Sequence, residues 1–235
     1  MTGARFSGVS ANTFAMMLAD ARLPVGGHVS SSGLEPALNA GLEPAKVLDY
    51  MVGRVATVSM VEAGVAVVAR HLVIDADSTE LGQRLQSVED AWAARTPSQE
   101  LRVVSRSLAR GYIRLGLRLW PDNLALRICN ESKIGFSRPT VLGIIAAAAG
   151  FDAEGLVRLS IYDDAQTIAS ALLKLEPLDP ATPVAWVLEA CESAEPLVPL
   201  IAAIISPDAI PATGAPQTEE WAEIHSTTTQ RLFRA

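Results

Sequence analysis

The stretch PAKVLDYMVGRVATVSMVEAGVAVVARHLVI, residues 44–74, decides the fold. Val47, Leu48, Met51, Val52, Val55 and Val58 recur at intervals of three and four, the spacing that lines one face of an α-helix. A half-buried strand would need strict alternation of apolar and polar residues, and the stretch does not alternate. Pro44 suits a first helical turn, where its missing N–H is not needed. The pattern predicts a helical stretch from Pro44 to about Ile74, with a break near Ser59 to Glu62 giving two helices.

The same reading extends in both directions. Toward the N-terminus, Ser31 and Ser32 are candidate caps for a helix over 33–40 that ends at Gly41. Before it, Leu23-Pro24-Val25-Gly26-Gly27 stops a short apolar helix over 12–21, capped by Asn12 or Thr13. Toward the C-terminus, Asp77-Ser78-Thr79-Glu80 puts acidic residues at the start of a helix reaching about Arg95. Thr96-Pro97-Ser98-Gln99 offers a capping Thr, a first-turn Pro and a Gln three residues after the cap, opening a helix that stops at Pro121. Residues 139–150, 152–173 and 182–205 give three more helical patterns. Residues 206–217, with three prolines and Gly214, read as a linker, and 218–230 carry a weaker helical pattern. The fold expected is all-α: one helical domain over 1–205 of about eight to ten helices, a Pro/Gly linker over 206–217, and a flexible C-terminal tail over 218–235.

Composition agrees. The apolar residues are mostly Ala, Leu, Val and Ile, and only 5% of the chain is aromatic, which suits helix packing better than a β-sandwich. A formal net charge of −7 leaves no basic face for nucleic acid. The one basic stretch is Arg95, Arg102, Arg106, Arg110, Arg114 and Arg118, five of them at a spacing of four, read as a solvated face or as a contact stripe for an acidic partner. Cys129 and Cys191 have no CxxC partner and no nearby His, so they are expected as free thiols in a reducing compartment. No secretion signal is recognisable, and the apolar run Val141 to Ala149 is about half the ~20 residues of a spanning helix. The expectation is a cytoplasmic protein without a membrane segment.

Catalysis by a nucleophile, a phosphate loop or a bound metal leaves recognisable patterns. There is no G-x-S-x-G, no G-x-x-x-x-G-K-[ST] and no H-E-x-x-H. The three histidines are His28, His71 and His225, with His71 expected in or beside the core. His28, His225 and a carboxylate are of the types that ligate metal, but nothing in the spacing joins them; no cofactor and no metal ligand are assigned. Asp163-Asp164 and Glu219-Glu220 are adjacent carboxylates that point about 100° apart on a helix and are expected in solvent. Weight shifts from enzyme toward binding protein. The alternatives kept open are a helical enzyme with an unrecognised site and a helical ligand-binding regulatory domain.

The segment from Leu18 to Leu38 resembles the N-terminal signature of UreF-type urease accessory proteins: a short helix, L-P-x-G-[GA], an aromatic or His, a Ser, then G-[LI]-E opening a helix. Pro24, Gly26, Gly27, His28, Ser31, Gly33, Leu34 and Glu35 match it in order. The end of the chain, His225 followed by Arg231-Leu232-Phe233-Arg234-Ala235, is similar to the family's H-x-x-x-x-x-R-L-F-x-S, with Ala235 in place of the final Ser. Ala109-Arg110-Gly111, Leu119-Trp120-Pro121-Asp122 and Lys174-Leu175-Glu176-Pro177 also fit the family's layout. The resemblance implies an all-α homodimer that acts without catalysis of its own. With a UreD-type protein, called UreH in some systems, it would recruit the UreG GTPase so that nickel reaches apo-urease. It also implies a partner-binding set of His28, Lys174, His225, Arg231, Leu232 and Phe233, with 218–235 as the partner-binding tail. Pro24, Gly26, Gly27, Ser31, Gly33 and Glu35 would form a structural loop.

Overall fold

A computed structural model describes residues 6, 8–75, 79–228 and 232–233, with the backbone alone of His28. Twelve α-helical segments follow one another: α1 (Ala11–Leu18), α2 (Leu34–Asn39), α3 (Val47–Arg54), α4 (Met60–Asp75), α5 (Leu81–Ala94), α6 (Gln99–Leu119), α7 (Leu124–Glu131), α8 (Arg138–Ala149), α9 (Ala153–Leu175), α10 (Ala181–Ala194), α11 (Val198–Ala202) and α12 (Pro216–Ser226). Two pairs are continuous, α3 with α4 and α10 with α11, so the bundle is built of ten rods. There is no strand among the described residues. The all-α expectation holds.

The predicted break near Ser59 does not occur. Val55–Ser59 is instead a π-helical turn inside one unbroken helical run, Pro44–Asp75. Such a turn carries an extra residue, which rotates the side chains that follow it. Here the Thr57 hydroxyl donates to the carbonyls of Gly53 and Arg54, and the Ser59 hydroxyl is aimed at α9. The run is long and apolar enough to span a membrane by length alone, but two thirds of its most apolar window is buried by neighbouring helices, as for a core helix.

α4 is the axis of the fold. It packs on α8, α9 and α5; α6 packs on α8, and α10 and α11 pack on α9. One apolar core runs through all of them, from Leu34 and Met51 through Val68, Leu85 and Ile144 to Ile168 and Leu172. The helix over 33–40 begins at Leu34, and its cap is Gly33 in the left-handed region (φ 78°), not Ser31 or Ser32. Three further details differ from expectation. Ser10, not Asn12 or Thr13, caps α1. Ser98, not Thr96, caps α6, its hydroxyl accepting from the Leu101 N–H. α7, capped by Asn123, adds a helix that the sequence pattern does not show: its eight residues are too few for periodicity to stand out.

The segment over 206–217 is pinned. The Arg95 Nε donates to the carbonyls of Ile210 and Pro211, the Thr213 hydroxyl donates to the carbonyl of Thr57, and Ile210 is buried. α12 then lies against α2 and α6. Glu219 accepts from the Ser98 N–H (2.5 Å), and Glu223 accepts from the Ser98 hydroxyl (2.6 Å) and the Glu100 N–H (3.1 Å). Two carboxylates one turn apart on α12 therefore serve the positive end of α6. Glu219, expected in solvent, is half-buried in this role, while Glu220 is exposed.

Candidate functional site

The N-terminal loop and the C-terminal end meet on α2. The loop lies on α6 through a glycine contact: a Cβ on Gly111 would stand 2.5 Å from the Val25 carbonyl oxygen. Gly26 takes φ 89°, a conformation costly for residues with a Cβ, whereas Gly27 is not among the positive-φ residues and starts a short 3₁₀ turn, Gly27–Val29. Pro24 is exposed at the loop's outer edge. Ser31 is fully buried, its hydroxyl accepting the backbone N–H of Glu35, so the serine ahead of α2 fixes where the carboxylate stands.

Glu35 is 6% exposed. Its Oε1 accepts from the Leu232 N–H and its Oε2 from the Phe233 N–H, both at 2.7 Å. His225, at the end of α12 and 2% exposed, puts Nε2 3.3 Å from Glu35 Oε2 and 3.4 Å from the Phe233 carbonyl oxygen. Both neighbours are acceptors, so Nε2 carries the ring proton. Phe233 is buried, and the Lys174 ammonium at the end of α9 lies 5.0 Å from its ring centre, within cation–π range. Leu232 is exposed. Glu35, Lys174, His225 and Phe233 thus converge from four parts of the sequence. The side chain of His28 and the whole of Arg231 lie outside the described residues.

Beside this cluster is a partly open cavity of about 330 Å³. Phe233 and Lys174 stand in its wall, and so do two groups of buried charge that sequence reasoning missed. Arg54 on α3 makes a two-pronged pair with Asp164 on α9 (2.8 and 3.1 Å), and the Ser59 hydroxyl donates to Asp164 Oδ2 (2.8 Å). Arg138 at the start of α8 bonds both Glu62 (2.6 Å) and Asp163. The expectation that Asp163-Asp164 is solvated is wrong. The pair points about 100° apart, but helices cover both directions and each carboxylate meets its own arginine.

Burial alone would raise the Asp164 pKa, yet the charge of Arg54 and the hydrogen bonds from Arg54 and Ser59 hold it below the usual carboxylate value. Asp163 shifts upward: burial raises it, and the one guanidinium beside it is shared with Glu62. The signal for these groups was present in the sequence. Arg54 and Glu62 interrupt an otherwise apolar helical run, and Asp163-Asp164 sit in the middle of a 23-residue helix.

The arginine series on α6 and before it divides. Arg102 donates to the carbonyls of Thr96 and Pro97, and Arg106 pairs with buried Glu89, whose other oxygen caps α8 through the Ser137 N–H. Arg110, Arg114 and Arg118 face solvent. His71 is partly exposed and pairs with Asp75. Among the described residues, no three of His, Cys, Asp and Glu converge in a way that could hold a metal ion.

Comparison with known proteins bears on this geometry. The family model described as UreF matches residues 44–190, which include α4, α8, α9 and the buried charge pairs. The ends that carry Glu35, His225 and Phe233 lie outside the matched span. The chain is 34% identical over 173 residues to the urease accessory protein UreF of Mycobacterium sp. (strain JLS), covering 70% of this chain and 74% of that protein. It is 30% identical over 177 residues to the protein of the same name from Mycolicibacterium vanbaalenii, covering 69% and 79%. With the Mycobacterium marinum protein of that name it shares 31% over 175 residues, covering 70% and 75%. An all-helical core matched over more than half its length, with relatives at this identity, means that the chain belongs to the UreF family of urease accessory proteins.

Proposed function

We propose that this chain is a scaffold for urease maturation, which with a UreD/UreH-type accessory protein recruits a UreG-type GTPase so that nickel, the cargo, enters apo-urease. Family membership supports the urease-maturation context, and accessory proteins of this family are not themselves catalysts. One observation carries the finer reading: Lys174, His225 and Phe233, three of the residues expected to meet partners, stand together around one carboxylate at the C-terminal end of the chain. A tail segment held by a few specific contacts is suited to a reversible contact with a GTPase, because little of the interaction energy is spent on ordering a long segment. In this reading residues 218–235 form the partner-binding unit, and Arg231, next to the held residues, supplies charge-assisted donors to the GTPase. A cytoplasmic homodimer belongs to the same reading, and the exposed Val184, Leu188 and Leu200 offer apolar area for contact between copies.

The test is urease activation in cells that carry every other urease gene but lack the F gene. Supplying this chain with nickel in the medium restores both urease activity and urease-bound metal. Soluble chain with its cognate partners present and no rescue would overturn the reading.

A further inference from the structure

Exposed Arg22, Lys46, Arg84, Arg127 and Arg158 each stand beside a carboxylate of this chain. Arg110, Arg114 and Arg118 on α6 do not. All three are exposed, and among the described residues none of them forms an ion pair. Arg110 donates to the Ser107 hydroxyl, and Asp122, one turn beyond Arg118, is taken by Arg127. The three arginines stand four residues apart, about 6 Å of helix per step, so they share one outer face and repel one another. Such a row does nothing for the helix that bears it, and a partner with carboxylates at matching intervals relieves it. We propose that Arg110, Arg114 and Arg118 form a steering edge for an acidic face of the UreG-type GTPase, laid along α6 beyond α12.

The chemistry of the partner follows from the row. Guanidinium forks take carboxylates in a two-pronged geometry, and a step of about 6 Å matches carboxylates one turn apart on a partner's helix. An extended polyanion fits less well, because a net charge of −7 repels it from the rest of the surface. The identity of the partner rests on the reading above, which gives residues 218–235 to the GTPase. α12, within that unit, is fixed to the first turn of α6 by Glu219 and Glu223. From Ser98 to Arg118 the helix runs about 30 Å, the breadth of one interface of ordinary size, so a protein seated on α12 can reach the row. Exposed charges of this kind set how fast and in which orientation a partner arrives more than how tightly it stays.

The experiment uses the full chain with its cognate UreD/UreH-type protein and follows binding of the UreG-type GTPase by surface plasmon resonance. Arg114→Gln with Arg118→Gln is expected to slow association about threefold to thirtyfold at low salt and to leave dissociation within about twofold, the difference vanishing at about 0.5 M salt. Lys46→Gln with Arg84→Gln removes the same charge from positions already paired and is expected to change the rate by less than about twofold. Contact is read directly in a chain with Arg114→Lys and Arg118→Lys. There a carbodiimide joins each new amine to a carboxylate it touches, with loss of water, and peptide mass mapping is expected to find the links on the GTPase. Equal association of wild type and the Arg114→Gln, Arg118→Gln chain would overturn this proposal and leave the role of the tail untouched. So would equal slowing in the Lys46→Gln, Arg84→Gln chain, or links that land on the UreD/UreH-type protein or on a second copy of this chain. A wild-type chain that captures no GTPase would overturn both this proposal and the reading it rests on.

Discussion

Replacing Asp164 with Asn tests how dry the centre of this protein is. The substitution keeps the shape of the side chain and removes its charge, leaving the Arg54 guanidinium 7% exposed and without its counter-ion. Breaking a buried pair in this way costs about 3–5 kcal/mol. Both groups border the cavity, where water can partly hydrate a stranded guanidinium, so the lower end applies: about 3 kcal/mol. With a urea dependence of about 2–3 kcal/mol per molar, the unfolding midpoint falls by roughly 1–1.5 M at pH 7. The pH dependence adds a second check. The folded pKa of Asp164 lies below its unfolded value, so its stabilisation is present above the unfolded value and is lost as pH falls through the folded one. Asp164→Asn should therefore flatten the acid side of the stability curve. Replacing both partners by Leu should recover most of the loss, because two apolar groups leave no stranded charge. A single-variant cost under about 1 kcal/mol with an unchanged acid limb would refute the reasoning, and would mean that water screens the pair as it screens a surface one.

Other outcomes are expected. Asp163→Asn should act with the opposite sign: its folded pKa is raised, so the native aspartate loses stability as pH rises from the unfolded to the folded value, and the variant should lack that decline in a urea series across pH 4–7. Gly111→Ala should lower stability by about 1–3 kcal/mol, read from thermal unfolding, since the new methyl meets the Val25 backbone and not a side chain that can turn away. Gly26→Val should cost about 1–3 kcal/mol through its positive φ, and Gly27→Val clearly less; equal costs would remove the backbone explanation. Arg231→Ala should leave the circular dichroism and melting of the chain unchanged yet reduce capture of the UreG-type GTPase at matched concentration; equal capture would end the proposed role of that residue.

The helices were legible because helical periodicity is a local property. The stripe from Val47 to Val58 needs no knowledge of what it packs against, and Gly41, Pro44 and Pro121 punctuate the chain wherever they stand. Caps were less legible because tertiary contacts choose among candidates. Thr96 and Ser98 are both adequate caps in isolation, and Ser98 wins in a fold where Glu219 and Glu223 reach it from α12. The break expected at Ser59 failed for a related reason: a π-turn has no strong sequence signature, and its effect here, turning Ser59 toward Asp164, depends on α9 being there. The loop and tail residues, and a loop that supports the tail, were legible through the family resemblance, but Glu35 as the group that joins them was not. No periodicity links Glu35 with residues nearly two hundred positions away. The buried charges were hidden because sequence treats a charge as solvated until a partner is found, and each partner of Arg54 and Arg138 sits on another helix.

Those partners explain a feature that looks wasteful from the sequence alone. An all-apolar centre would be at least as stable as one with two arginines and three carboxylates, since desolvation offsets most of the Coulomb gain. The pairs do, however, fix geometry. Arg54 ties α3 to α9, and Arg138 ties the start of α8 to α4 and α9, so four helices are held in register around the cavity. Apolar contacts alone tolerate sliding; a two-pronged guanidinium–carboxylate pair does not. The same α9 carries Lys174 three turns beyond Asp164, and α2 brings Glu35 to its flank. A rigid centre thus sets the spacing between the lysine that covers Phe233 and the carboxylate that holds its backbone. Loosening the centre should then weaken the grip on the tail: Asp164→Asn, under conditions where it remains folded, should raise amide exchange at Leu232 and Phe233, and unchanged exchange there would show that the tail site is held by α2 and α12 alone.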